Sequence, residues 1–118
     1  MTLFRLLLIA IIVTVGVFTI MVVGQQGPNF LTPFFTDIFK VGWAGQFNMD
    51  FASLLIMCSV WLMWRHHFSP LGLLFGVVIF VGGAPFLSGY LLIVMAKGKP
   101  DMTELLLGRA RAAGLKDA

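Results

Sequence analysis

Few side chains in this chain could do chemistry. Asp50, in the stretch GQFNMDF, is the carboxylate nearest an apolar interior, and Tyr90 is the single tyrosine. A carboxylate, a phenol and an amide on one level can hold and move a proton, so Asp50, Tyr90 and Asn48 would suit a membrane enzyme or binder acting on a lipid or isoprenoid. The competing use of Asp50 is at a helix mouth. With Asn48 as N-cap, its carboxylate would face headgroup water and the positive helix end, and that use is the favoured one. His66 and His67 are sequence neighbours, which point about 100° apart on a helix and cannot grip one metal as an i, i+4 pair can. No metal site is expected. Either histidine could serve as axial ligand to a haem or a chlorophyll-type pigment, although no further histidine exists to complete a two-histidine haem. Headgroup contact is their simpler use, and Cys58 reads as an inert thiol within an apolar run. P-loop, nucleophile-elbow, HExxH and CxxC patterns are absent from the sequence.

The elements that position these residues are those of a membrane protein. Hydrophobic residues make up 59% of the 118 and charged residues 11%, against about 45–50% and about 25% in soluble domains. That balance excludes a soluble domain and intrinsic disorder alike, and one cysteine excludes a disulfide scaffold. The basic residues Arg5, Lys40, Arg65, Lys97, Lys99, Arg109, Arg111 and Lys116 flank apolar runs and form no dense patch. They suit lipid headgroups, and no nucleic-acid partner is implied.

Three apolar runs predict three transmembrane helices in an all-α membrane fold, over about residues 4–24, 48–65 and 70–96. The first is read as a retained span, because its apolar core is longer than that of a signal peptide. Its Thr14 and Thr19 can bond back to the preceding turn. The third opens on Ser69-Pro70, a cap followed by proline at the first helical position. It is longer than a straight crossing needs, so a bend is expected at 82–85, in Gly-Gly-Ala-Pro. Two separate crossings are not expected there, since each half is too short.

Between the first two runs, Thr32-Pro33 predicts a short amphipathic helix over about 33–41 lying at the interface. Phe34, Phe35, Ile38 and Val41 would be on one side, with Thr36, Asp37 and Lys40 on the other. After Pro100, Asp101 and Glu104 have capping-box spacing and open a C-terminal surface helix over about 101–112. With three crossings, Arg5 and Arg65 fall on one side, while Lys40, Lys97, Lys99, Arg109 and Arg111 fall on the other. The positive-inside rule then places the N-terminus outside and the C-terminus in the cytoplasm.

Gly72 and Gly76 form a GxxxG pair, and Gly83, Ile79 and Tyr90 share their face. A strip of glycine lets another helix approach closely, so this face would dock a partner, a second copy or, as the favoured use, the chain's own first or second span. Asp50, Asn48 and Tyr90 fall at one depth if the second and third spans run antiparallel as rods.

The pattern GQFNMDF at 45–51, WLMWR at 61–65, FSP at 68–70, GGAPFLSGYLL at 82–92 and ELLLG at 104–108 resembles small bacterial inner-membrane proteins of three spans, a group to which no activity is assigned. Size and span number are also distantly similar to the half-subunits of heterodimeric lycopene cyclases, whose acidic motifs with adjacent proline are missing here. The resemblance implies a multi-pass protein of the bacterial inner membrane. The function expected is that of a non-enzymatic accessory or interaction subunit in a larger complex or homo-oligomer, with no cofactor and with membrane lipids as neighbours.

Overall fold

The computed structural model describes residues 2–117, with side chains up to residue 115. The chain is all-α in the order α1 (Thr2–Gln26), α2 (Leu31–Phe39), α3 (Trp43–Arg65), α4 (Pro70–Gly98), α5 (Met102–Leu107) and α6 (Arg109–Asp117). Among the described residues, α1, α3 and α4 are long and apolar enough to cross a membrane. Their outer surfaces are apolar almost throughout, as lipid-facing helices must be, and Leu8 is the single buried residue of α1. Thr19 Oγ1 donates to the Val15 carbonyl at 2.7 Å, the back-bonding expected of a hydroxyl in an apolar helix.

The helix boundaries follow local chemistry with instructive differences. Ser69 caps α4, accepting from Gly72 N at 3.2 Å, and Pro70 takes the first helical position. Asp101 likewise caps α5, accepting from Glu104 N at 2.9 Å. The expected C-terminal helix is two helices, because Gly108 at φ 87° and ψ 161° leaves helical geometry between α5 and α6. The expected interfacial helix is α2, beginning at Leu31 rather than Pro33 because Asn29 Oδ1 accepts from Thr32 N at 3.3 Å. Asn48 does not cap the second span. α3 starts at Trp43, with Gly42 as its cap, because nothing from Trp43 to Gln46 stops a helix. Gly45 then lets α2 lie directly on α3, since a Cβ there would come within 2.9 Å of the Ile38 Cα.

α4 departs most from its expected shape. Gly83 has φ 58° and ψ −141°, far outside the helical region. The rings of Phe75 and Tyr90 lie 5.5 Å apart, whereas fifteen residues of straight helix would separate them by about 22 Å. Phe75 also meets Phe86, with centroids at 6.1 Å. The bend expected at 82–85 is therefore a full reversal at Gly83. Two arms, 70–82 and 84–98, lie side by side, about 20 and about 22 Å long. Pro85 opens the second arm, in the first turn, where its missing N–H is not needed.

The first arm runs antiparallel along α3. A Cβ at Gly72 would meet His66 and Met63, one at Gly76 would meet Met63 and Ser59, and one at Gly83 would touch Phe51. Ser59 Oγ donates to the Gly76 carbonyl at 2.8 Å, a buried bond that close helix approach makes possible. Gly72, Gly76 and Gly83 thus lie against the chain's own second span, whereas Tyr90, expected on the same face, is carried onto the returning arm by the reversal at Gly83. The second arm packs on the start of α1, where Arg5, Leu92, Met95 and Lys99 line one groove.

The reversal also corrects the distribution of charge. Arg109 lies against Gly98, Arg65 bonds to α5, and Arg111 stacks on Trp64. Arg5, Arg65, Lys97, Lys99, Arg109 and Arg111 therefore occupy one end of the molecule. Lys40, beside α2, is at the other, and the Lys116 side chain lies outside the described residues. The two-against-five division expected from three straight crossings does not hold, because α4 returns to the end it left.

Candidate functional site

The densest polar cluster forms where α3 ends, and Arg65 is its hub. Trp61 and Arg65 stand one helical turn apart and share a face that meets the second arm of α4 and α5. The Arg65 guanidinium donates through Nη1 to the Tyr90 hydroxyl at 2.8 Å, through Nε to the Leu105 carbonyl at 2.8 Å, and through Nη2 to the Glu104 carbonyl at 3.3 Å. Those carbonyls belong to the last turn of α5, where the helix dipole favours a cation; the Glu104 carbonyl also accepts from Gly108 N at 2.9 Å. Trp61 Nε1 adds a bond to the Leu106 carbonyl at 3.0 Å. Three donors from α3 thereby fasten α5 to the core, and Leu105 is 1% exposed beneath them.

Tyr90 is almost buried and sits in an aromatic cage. Trp61, His66 and Phe75 approach its ring edge-on, with centroids 6.5, 5.7 and 5.5 Å away. Its hydroxyl is 2.6 Å from His66 Nε2. Arginine can only donate, so the phenol oxygen accepts from Arg65 and its proton is available to Nε2. A neutral imidazole with its proton on Nδ1 completes the relay from Arg65 through Tyr90 to His66. Burial, the Arg65 charge and the His67 charge all hold the His66 pKa below its usual 6.5, which keeps the imidazole neutral near pH 7 as the relay requires.

A stability dependence on pH follows. The unfolded chain binds a proton on His66 near pH 6.5, and the folded chain does so only at lower pH. Between those values the unfolded state holds more protons, so stability rises with pH there. The contribution is complete above pH 6.5 and is lost as pH falls through the depressed folded value. Thermal unfolding in nanodiscs should therefore show a lower Tm at pH 5 than at pH 7.5. His66→Gln, whose amide oxygen still accepts from Tyr90 but does not titrate, should lose most of that difference. An unchanged pH dependence in this variant would remove His66 as its source.

The residues proposed for proton chemistry are not brought together. Tyr90 lies beside Arg65, and fifteen residues of α3 place Arg65 about 22 Å from Asp50. The straight antiparallel packing that would align Asp50, Asn48 and Tyr90 is removed by the reversal at Gly83. Asn48 instead donates from Nδ2 to the Phe34 carbonyl at 3.1 Å and ties α2 to α3. Asp50 is exposed on α3. His67 is exposed too, with φ 56°, and forms the turn into α4 with Phe68 at φ 53°. Cys58 is a half-buried free thiol packed against the core. Arg65 and Trp61, the central residues of this cluster, were visible in the sequence as an i, i+4 pair, but nothing local named their partners.

Beyond the residues themselves, the comparisons add no identity: no protein-family model, no curated protein and no solved structure matches this chain.

Proposed function

We propose that this protein is a small accessory subunit of a bacterial inner membrane, non-enzymatic, which holds a partner helix along the distal half of α1. In this reading α1 and α3 cross the bilayer and α4 enters from the basic end and returns to it. Both termini then face the cytoplasm, as the positive-inside rule requires of an end carrying Arg5, Lys97, Lys99 and Arg109.

The observation that carries the non-enzymatic reading is the engagement of Tyr90. Its hydroxyl is held between Arg65 and His66, so it is no partner for Asp50. Trp61, Arg65, His66 and Tyr90 are spent on joining α3, α4 and α5. The distal half of α1, by contrast, is without internal packing: Val13, Val17, Phe18, Ile20 and Met21 are exposed. A Cβ added at Gly16 or Gly24 would meet nothing within 4 Å, so their smallness serves no internal contact. In lipid, small residues on a bare apolar helix favour close approach by another helix.

A photo-reactive residue in place of Phe18 tests this in native membranes. One discrete protein-sized adduct, to a second copy or to another membrane protein, is expected. Lipid-sized adducts alone, from every position across 13–23, would overturn the accessory reading. Reporter fusions at the two termini test the topology separately. Both should report the cytoplasm, and opposite sides would sink the returning hairpin.

A further inference from the structure

We infer that the basic end carries a binding site for an anionic phospholipid, in the groove between the start of α1 and the second arm of α4. The groove has a volume of about 270 Å³ and is lined by Arg5, Leu92, Met95, Ala96 and Lys99. Its two ends differ chemically. Arg5 from α1 and Lys99 from the end of α4 supply a guanidinium and an ammonium, and among the described residues neither makes a side-chain hydrogen bond or ion pair. Leu92 and Ala96 form an apolar wall below them, and Met95, 1% exposed, forms the floor.

A phosphodiester matches the upper part. Its oxygens accept from the Arg5 fork and the Lys99 ammonium, which are point and planar donors suited to phosphate. The glycerol and first methylenes match the lower part, and the acyl chains continue into the bilayer beside the exposed flanks of α1 and α4. A groove of this volume is too small for a whole lipid and suits a headgroup root. A second groove, of about 320 Å³, lies between Phe4, Trp61, Leu91 and Leu105 and has no charged lining residue. That groove offers nothing to recognise a headgroup, so charge complementarity singles out the first. The neighbouring Asp101 caps α5, accepting from Glu104 N through Oδ1. This inference concerns a lipid ligand and stands whether or not α1 binds a partner helix.

The test uses full-length protein in a neutral detergent, titrated with short-chain phosphatidylglycerol, phosphatidylcholine or inorganic phosphate, and read by native mass spectrometry and thermal unfolding. Phosphatidylglycerol should be retained as a single adduct and should raise Tm. Phosphatidylcholine and inorganic phosphate should do neither at the same concentration. Arg5→Gln and Lys99→Gln should each weaken phosphatidylglycerol on the order of tenfold. Lys97→Gln, with the same charge change two residues from Lys99 but off the groove, should change it by no more than about twofold. All three positions are exposed, and unchanged helicity by circular dichroism would establish that the variants fold. Equal retention of the two lipids, or equal losses from Lys97→Gln and Lys99→Gln, would reduce the effect to general surface charge and overturn the site. Binding of inorganic phosphate as tight as that of phosphatidylglycerol would make the occupant a free anion, which also overturns it.

Discussion

Gly83→Ala is expected to lower the unfolding free energy by about 1–3 kcal/mol from backbone strain alone. The dihedrals at this position, φ 58° and ψ −141°, lie in a region that a Cβ all but closes. Sterics with neighbours are a minor part, since an added Cβ would approach Phe51 Cζ only to 3.4 Å. The variant has one escape, which is to become helical at residue 83. Alanine favours that outcome by about 1 kcal/mol over glycine. The escape has its own cost, because a straight α4 would be about 43 Å long and would carry Tyr90 away from Arg65, His66 and Phe75. Either outcome is measurable. A folded but strained variant keeps its C-terminus on the wild-type side and unfolds at lower temperature or denaturant. A straightened one moves the C-terminus to the opposite side and loses the protection of α5. Wild-type stability together with wild-type topology would show that the reversal does not need glycine.

Arg65→Met carries the second large effect, a loss of about 3–5 kcal/mol, set by the loss of three hydrogen bonds from a charged group. Methionine keeps the aliphatic volume but removes the donors to Tyr90, Leu105 and Glu104. Each hydrogen bond to a charged group is worth about 1.5–3 kcal/mol. The sum is not reached because α5 can lift away and its carbonyls can take up water. The readout is local. Tryptic cleavage at Arg109 and Arg111 should accelerate as α5 and α6 detach, and Trp61 fluorescence should shift when its bond to the Leu106 carbonyl at 3.0 Å is lost. Arg65→Lys should rescue little, because an ammonium cannot span three acceptors as a planar fork does. Unaltered protection at Arg109 and Arg111 in Arg65→Met would mean that apolar packing of Leu105, rather than Arg65, holds the C-terminal helices.

Both predictions concern contacts between residues distant in sequence, and that is where the sequence was least informative. The capping residues are legible: Ser69 and Asp101 accept from backbone donors three residues on, so their chemistry is complete in a short window. Asn48 was read by the same local rule and the rule failed, because its amide is committed to the Phe34 carbonyl, fourteen residues back. A cap assignment assumes that no tertiary partner competes for the side chain, and here one does.

The same division separates the site from its scaffold. Along the sequence, Tyr90 goes with Asp50 because straight antiparallel helices put the two at one depth. Straight rods keep that common depth, and a hairpin in α4 abolishes it. One pair of dihedrals at Gly83 moves Tyr90 the length of an arm and exchanges a carboxylate partner for Arg65 and His66.

From composition and hydropathy alone came the all-α membrane class, the three long apolar helices, the short helix before the second of them and the glycine face on the third. These follow from free energies that are local or additive along the chain, namely apolar transfer, helix propensity and capping. Tertiary structure alone decided the direction of residues 84–98, the gathering of basic residues at one end and the partners of Tyr90. The physical reason is that Gly82-Gly83 permits several backbone paths at similar local cost. The choice among them falls to the contacts of Arg65, His66 and Phe75 with Tyr90, which form only once the chain has turned back.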